Sequence, residues 1–223
     1  MIVSSVHRFV DIARFPGGRL LWTQWRTVLP AERPSVVVLA GPNGAGKSTL
    51  PGRLLVEVLD VSEFVDADLL ARSLPPSEAA PITAGKAMLR RLDELARSRQ
   101  SFGFETTLAS RSFAPRIRRL LRDGYECHLL FLWLPAAELA IARVADRVRL
   151  GGHAVPEQTI RRRYRSGLRN FFELYQPLTT TWRMYDNSTH EPRLISSGAG
   201  TETLTLNEAD LWQRIRVEAG LAG

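Results

Sequence analysis

Lys47 and Ser48 stand near the end of the run Gly41-Pro42-Asn43-Gly44-Ala45-Gly46-Lys47-Ser48-Thr49, which satisfies G-x-x-x-x-G-K-[ST]. In that pattern the glycines let backbone N–H groups turn inward around phosphate oxygens. The lysine puts a point charge on the β/γ-phosphates, and the serine hydroxyl is a ligand for magnesium. Residues 41–49 are therefore the nucleotide-binding candidates, ATP and Mg2+ the cofactors, and Ser48 the metal ligand. Two clusters of carboxylates and hydroxyls follow, Asp66 with Asp68 and Glu105 with Thr106 and Thr107. A carboxylate facing a triphosphate held in line can take the proton from an acceptor hydroxyl. Asp68 is assigned that role. Asp66 either aligns Asp68 or holds a magnesium-bound water, and the competing reading of Asp68 is a cap on a helix starting at Leu69.

A third group is cationic. Arg143, Arg147 and Arg149 precede the break Gly151-Gly152, and Arg161, Arg162 and Arg163 follow it. Two arginine-bearing helices around a glycine hinge read as a lid that brings guanidinium groups to the transferring phosphoryl and excludes water. Arg143 and Arg147 share a helix face, while of Arg161 to Arg163 one or two can face inward. The plain alternative is a solvated basic face. His153 is read as part of the hinge, no zinc-ligand spacing is present, and Cys127 and Ser4-Ser5 have no neighbouring base to activate a nucleophile.

These groups need a scaffold that brings strand ends together. The all-apolar Val36-Val37-Val38-Leu39 is a buried strand directly before the loop, and a helix begins near Lys47 with the stripe Leu50/Leu54/Leu55/Val58. Further strands are expected at Glu63 to Asp66, Phe102 to Glu105, Tyr125 to Leu134 and Trp182 to Tyr185, with a short extended piece at Arg193 to Ile195. Helices are expected from Thr83 to Ser98, through Ile117 to Asp123, from Pro135 to about Leu150, and from Pro156 to about Tyr175. A terminal helix is capped by Asn207 and ends near Glu218. Alternation of strands and helices implies right-handed crossovers in an α/β domain. The expected architecture is a P-loop kinase fold, a central parallel five-stranded sheet flanked by helices with an Arg-bearing helical lid at about 143–170. The domain is expected at 34–223. Residues 1–33, with Trp22 and Trp25, form a flap that either packs on the domain or offers a partner surface. Ligands bind beyond the carboxyl ends of such strands, where Gly41, Asp66 and Glu105 fall.

With 223 residues, 44% of them hydrophobic, the chain suits one α/β domain. The single cysteine excludes an internal disulfide and points to a cytoplasmic setting. No apolar stretch reaches the roughly 18 residues of a membrane span, so no membrane partner is expected. The net charge of +7 is carried almost wholly by arginines spread along the chain, and aromatic residues are not interleaved with them, so no specific nucleic acid is expected. Trp133-Leu134 runs directly into Pro135 without the acidic residue a mechanical ATPase places at that strand end. A small-molecule kinase can take magnesium from the serine, the phosphates and water instead.

The loop 41–49, Val65-Asp66-Ala67-Asp68, Phe104-Glu105-Thr106-Thr107-Leu108, and the run from Arg143 through Gly151-Gly152-His153 to Arg161-Arg162-Arg163-Tyr164 together resemble the zeta toxin family. The resemblance spans about Val36 to Ser197, and its short Glu-Thr-Thr-Leu element is similar to the small chromosomal branch. It implies a kinase that phosphorylates the 3′-hydroxyl of the sugar in UDP-N-acetylglucosamine or a related UDP-sugar, restrained by an antitoxin protein. By position it implies Lys47 and Ser48 in the loop, Asp68 as proton acceptor, Glu105 with Thr107 at the substrate strand end, and Arg147 and Arg162 as lid cations. Asn187, after a strand end where nucleotide kinases touch adenine, is an adenine-side candidate. Other readings stay open: a kinase of another small molecule, a nucleoside or an RNA end, or a nucleotide-gated binding module that moves the Trp22/Trp25 flap.

Overall fold

A computed structural model of the chain describes residues 33–47, 61–67, 70, 80–189 and 191–221. The expected flap ahead of Arg33, the loop residues Ser48 and Thr49, and Asp68 lie outside the described residues.

Apolar runs make the strands at the centre of the sheet. β1 (Ser35–Ala40) is buried along its whole length, and β4 (Glu126–Trp133) is buried from Cys127 onward, as strands covered on both faces must be. They are joined by β2 (Glu63–Val65), β3 (Phe102–Thr106), β5 (Thr181–Asp186), β6 (Arg193–Ala199) and β7 (Glu202–Leu206). The order across the sheet is β2-β3-β1-β4-β5-β6-β7. The first five strands are parallel, and β6 and β7 are added antiparallel.

The five expected parallel strands are all present, and β6 and β7 extend the sheet to seven strands among the described residues. β6 continues past Ile195 because Ser196 and Ser197 are buried in the ladder, with the Ser196 hydroxyl bonded to the Thr205 carbonyl. β7, Glu-Thr-Leu-Thr-Leu, is a mostly exposed edge strand with no core residues to announce it. Asn207 is not the cap of the last helix. That position belongs to Glu208, and the Asn207 amide donates to the Leu194 carbonyl at 3.3 Å.

Among the described residues five α-helices cover the sheet: α1 (Ala80–Arg97), α2 (Phe113–Arg122), α3 (Ala137–Arg149), α4 (Glu157–Asn170) and α5 (Ala209–Glu218). α1 turns Ala84, Met88, Leu92 and Leu95 to one face, and α2 buries Ala114, Ile117 and Leu120, both at helical spacing. Apart from Ala84, these side chains join Phe102, Phe104, Trp182 and Trp212 in the larger of two apolar layers among the described residues. There the indoles of Trp182 and Trp212 stack at 5.3 Å and Phe171 meets Trp182 edge-on at 5.9 Å. Each such pair contributes about 0.5–1.5 kcal/mol beyond simple burial. The opposite layer holds Val37, Leu39, Leu130, Ala140 and Val144.

α4 belongs to both layers. Ile160 and Tyr164 pack in the second layer, whereas Leu168 and then Phe171 pack in the first. The helix therefore passes across the carboxyl end of the sheet. At Phe171 its winding widens to a π-turn through Tyr175, so the helical path reaches the residue the sequence indicated but not as one uniform α-helix.

Candidate active site

Parallel register brings three strand ends into one line. Leu39 and Ala40 of β1 lie opposite Glu105 and Thr106 of β3, and Val65 of β2 lies opposite Phe104. The Gly41 loop, Asp66 and the Glu105-Thr106-Thr107 segment consequently emerge side by side. Asn43, Asp66, Glu105, Thr106 and Thr107 line one cavity of about 540 Å³, with Arg162 and Arg163 of α4 on its wall. A volume of this order suits a small ligand.

Lys47 is buried. Its ammonium donates to the carbonyls of Gly41 at 2.8 Å and Pro42 at 2.9 Å and lies 3.6 Å from a carboxylate oxygen of Glu105. A cation in so low a dielectric interacts strongly with any phosphate entering the loop. The loop itself is braced from behind. Gly44 has φ +76°, and a Cβ there would lie 2.6 Å from the Ala140 carbonyl oxygen of α3, so no other residue fits that approach. The Asn187 amide donates to the Ala45 carbonyl at 2.6 Å, and Arg143 fixes Asn187 in turn by donating to its carbonyl at 2.8 Å and to that of Ser188 at 2.7 Å. Asn187, the adenine-side candidate, thus has its side-chain amide on the phosphate loop, and Arg143 acts through it.

The three adjacent arginines separate by role. Arg161 is neutralised by Glu138 and Glu157. Arg163 turns to the loop and donates to the Asn43 side-chain oxygen at 3.3 Å. Arg162 is exposed and stands between the cavity just described and a second one. Arg147 is placed elsewhere, donating to the His153 carbonyl at 2.9 Å and so holding the turn after α3. The structure therefore gathers Asn43, Lys47, Asp66, Glu105, Thr106, Thr107 and Arg162 in one cleft, and puts Arg147 on the 150–153 turn.

Sequence reasoning passed over the second cavity. It encloses about 900 Å³ and is lined by Arg111, Arg161, Arg162, Arg165 and Arg169 together with the acidic Glu173, and it shares Ala109, Arg162 and Ser166 with the first. Arg161, Arg165 and Arg169 recur every four residues on α4, a stripe that the sequence does contain. Elsewhere, burial pushes the Cys127 thiol up to about 12, which leaves it inert as a nucleophile near neutral pH. Burial also raises the Asp186 carboxyl, but hydrogen bonds from Ser188 and the Arg193 guanidinium outweigh it and hold the group below its ordinary value. Among the described residues no group of three or more His, Cys, Asp or Glu is placed to hold a metal, and no helix is long and apolar enough to cross a membrane.

A parallel sheet with a phosphate loop after its central strand, a buried lysine in that loop and a carboxylate-lined cavity beside it define a P-loop kinase, an ATP-binding phosphotransferase fold. Residues 21–191 match the zeta toxin family, and the chain belongs to that family. An uncharacterized protein of Haemophilus influenzae is 29% identical over 130 residues, covering 57% of this chain and 91% of its own. Among solved structures, the complex AvrRxo1-ORF1:-ORF2 with ATP is similar at a TM-score of 0.62 and 18% identity over 82% of this chain. The chain spans 63% of that relative's length. The PezAT chromosomal toxin-antitoxin system of Streptococcus pneumoniae is similar at a TM-score of 0.53 and 17% identity, covering 89% of this chain and 92% of that one. At these identities the likeness to the two solved structures is one of fold.

Proposed function

We propose that the chain transfers the γ-phosphoryl group of ATP to a sugar hydroxyl of a UDP-sugar, with the 3′-hydroxyl of UDP-N-acetylglucosamine as the leading acceptor. The observation that carries this reading is the pair of adjoining cavities. One has the phosphate loop on one side and Asp66, Glu105, Thr106 and Thr107 on the other, and the second is lined by arginines. A sugar in the first would set its hydroxyls among carboxylates and threonines. Its diphosphate would extend past Arg162 toward Arg165, Arg169 and Arg111, whose planar guanidinium groups suit paired phosphate oxygens. A neutral acceptor would leave these cations without use.

In the proposed reaction the acceptor oxygen attacks the γ-phosphorus, the bond from that phosphorus to the β,γ-bridging oxygen breaks, and ADP leaves. The hydroxyl proton passes to Asp68, two residues beyond Asp66 at the end of β2. Lys47 neutralises charge on the β/γ-phosphates, and Arg163 and Arg162 stand where the transferring group crosses the cleft. Mg2+ would be held by the Ser48 hydroxyl, the phosphates and water, which fits the lack of a metal-caging group of carboxylates among the described residues, and when bound it would neutralise phosphate charge. A protein antitoxin is the corresponding partner, supported by the toxin-antitoxin setting of the PezAT relative.

Incubation of the full chain with ATP, magnesium and UDP-N-acetylglucosamine should give an acceptor heavier by one phosphoryl group in mass spectrometry. Asp68→Asn should abolish the product while ATP binding persists. ADP formation with the acceptor unchanged would contradict the assignment.

A further inference from the structure

The segment that follows β3 contains Leu108, a fully buried leucine at φ +55°, a backbone angle that side chains other than glycine adopt at a cost. Such a conformation persists where its surroundings over-determine it. Here the surroundings are one face of α4 and the π-turn after it. The Asn170 amide donates to the Leu108 carbonyl at 2.8 Å and the Ala109 carbonyl at 3.2 Å. Gly167 lies so close that a Cβ would sit 2.3 Å from the Thr107 carbonyl oxygen. The Tyr175 hydroxyl donates to the Ser110 carbonyl. Burial pushes that phenol up to about 12, so it stays protonated as a donor. Within the segment, Thr106 and Thr107 turn their hydroxyl oxygens to the N–H groups of Leu108 and Ala109.

Spacing explains why one helix can do this. Arg163, Gly167 and Asn170 follow one another at four and three residues, so they share a face of α4. Asn170 and Tyr175 are five apart. An α-helix would turn them away from each other, but the i→i+5 winding of the π-turn brings them to one side. The same face touches Asn43 of the phosphate loop through Arg163 and the acceptor segment through Gly167 and Asn170. From Arg163 to Asn170 is about 10 Å along the helix axis, on the scale of a triphosphate and the atom it meets.

We propose that α4 is a strut that fixes the acceptor segment 106–112 relative to the phosphate loop, and that Asn170 is its principal positioning residue, seconded by Gly167 and Tyr175. Asn170 also lines the arginine-rich cavity, where a carboxylate in its place would itself weaken acceptor binding. Its positioning role is therefore read in the exchange of the backbone it holds and in kcat at saturating acceptor. Glu105, Thr106 and Thr107 take their bearing from that backbone, so loosening it blurs the distance from acceptor to phosphoryl donor. The activity arm of the test rests on the acceptor reading given above, and the exchange arm does not.

Asn170→Asp is nearly isosteric but replaces the two donated hydrogen bonds with repulsion between oxygens. In the full chain, hydrogen exchange at the amides of segment 106–112 should quicken about tenfold or more, the loss of at least one net hydrogen bond, while β1 and β4 keep their protection. With UDP-N-acetylglucosamine at saturation and MgATP, kcat should fall by about tenfold, with MgATP affinity measured by calorimetry unchanged within twofold. Tyr175→Phe removes one hydroxyl and should quicken exchange in the same segment by a smaller factor, and it serves as the decisive variant if Asn170→Asp does not fold. Unchanged exchange at 106–112, or an equal rise across the sheet, overturns the strut. If the parent protein leaves UDP-N-acetylglucosamine unphosphorylated, the acceptor reading fails while the exchange result still decides the role of α4.

Discussion

Gly44 and Gly46 on one side of the cleft and Leu108 on the other all have left-handed backbone, at φ +76°, +86° and +55°. The phosphate loop reaches these angles with residues that lack a Cβ, and Asn187, Arg143 and the Ala140 carbonyl then hold it in place. The acceptor segment reaches its angle with a leucine whose side chain fills the core, and the holding is done by Asn170, Gly167 and Tyr175. A loop that must present several N–H groups to an anion needs glycine because side chains would stand in the way. A segment that must keep side chains of its own pointed at an acceptor can use an ordinary residue, provided a neighbouring helix supplies the constraint. In the proposed reading, the angles of the donor loop are thus reached by local backbone chemistry, and that of the acceptor segment by tertiary contacts.

The largest effect should follow from removing the charge that the donor side presents. Lys47→Ala should lower phosphoryl transfer by about 10²–10³-fold, the scale for loss of one group that stabilises transition-state charge, read as kcat with MgATP at saturation. Next in size are paired substitutions at the two left-handed positions. Leu108→Ala should lower unfolding free energy by about 2–5 kcal/mol, because it opens a hole in the core and leaves the backbone angle unrelieved. Gly44→Ala should cost about 1–3 kcal/mol through strain and the approach of its Cβ to Ala140. Chemical denaturation measures both. Nucleotide affinity should suffer mainly in Gly44→Ala and acceptor affinity mainly in Leu108→Ala. Equal losses of both affinities in both variants would erase the distinction between the two walls.

Smallest is the pH response of the β5 end, which carries Asn187 to the phosphate loop. Asp186 is held below its ordinary value of 3.8, with burial opposing and the bonds from Ser188 and Arg193 prevailing. The native state therefore favours the ionised form. Its contribution is complete above the unfolded-state value and is lost as pH falls from about 4 through the lower folded value. Because Arg193 is 57% exposed, solvent screening keeps the contribution of the ion pair itself small. Asp186→Asn should flatten the acid limb of the stability curve below pH 4 and lower stability at pH 7 only slightly.

The same contrast decides what could be read from residue order alone. The loop at 41–47 was legible because its glycines and lysine carry their function locally, and the strand ends at Asp66 and Glu105 were legible because apolar runs stop there. Register then placed Asn43, Asp66, Glu105, Thr106 and Thr107 around one cavity. The clamp on Leu108 was not legible, since nothing in Leu-Ala-Ser announces a left-handed turn and its partners lie about sixty residues away. Nor did the arginine cluster reveal that Glu138 and Glu157 neutralise Arg161 while Arg163 turns to Asn43, because that division depends on which face of α4 meets the sheet end. The edge strand β7 escaped notice because its one alternation, Leu204 and Leu206 alternating with threonines, is too short to mark a strand and both leucines are exposed.

The central claim is that donor loop and acceptor segment serve one transfer across a shared cleft. It is tested most directly by following label from γ-³²P-ATP in the presence of magnesium and UDP-N-acetylglucosamine, with the parent chain and Lys47→Ala side by side. Label is expected on the nucleotide sugar with the parent, and near-background transfer with the variant. Label appearing only as inorganic phosphate, or transfer that proceeds equally without Lys47, would contradict it.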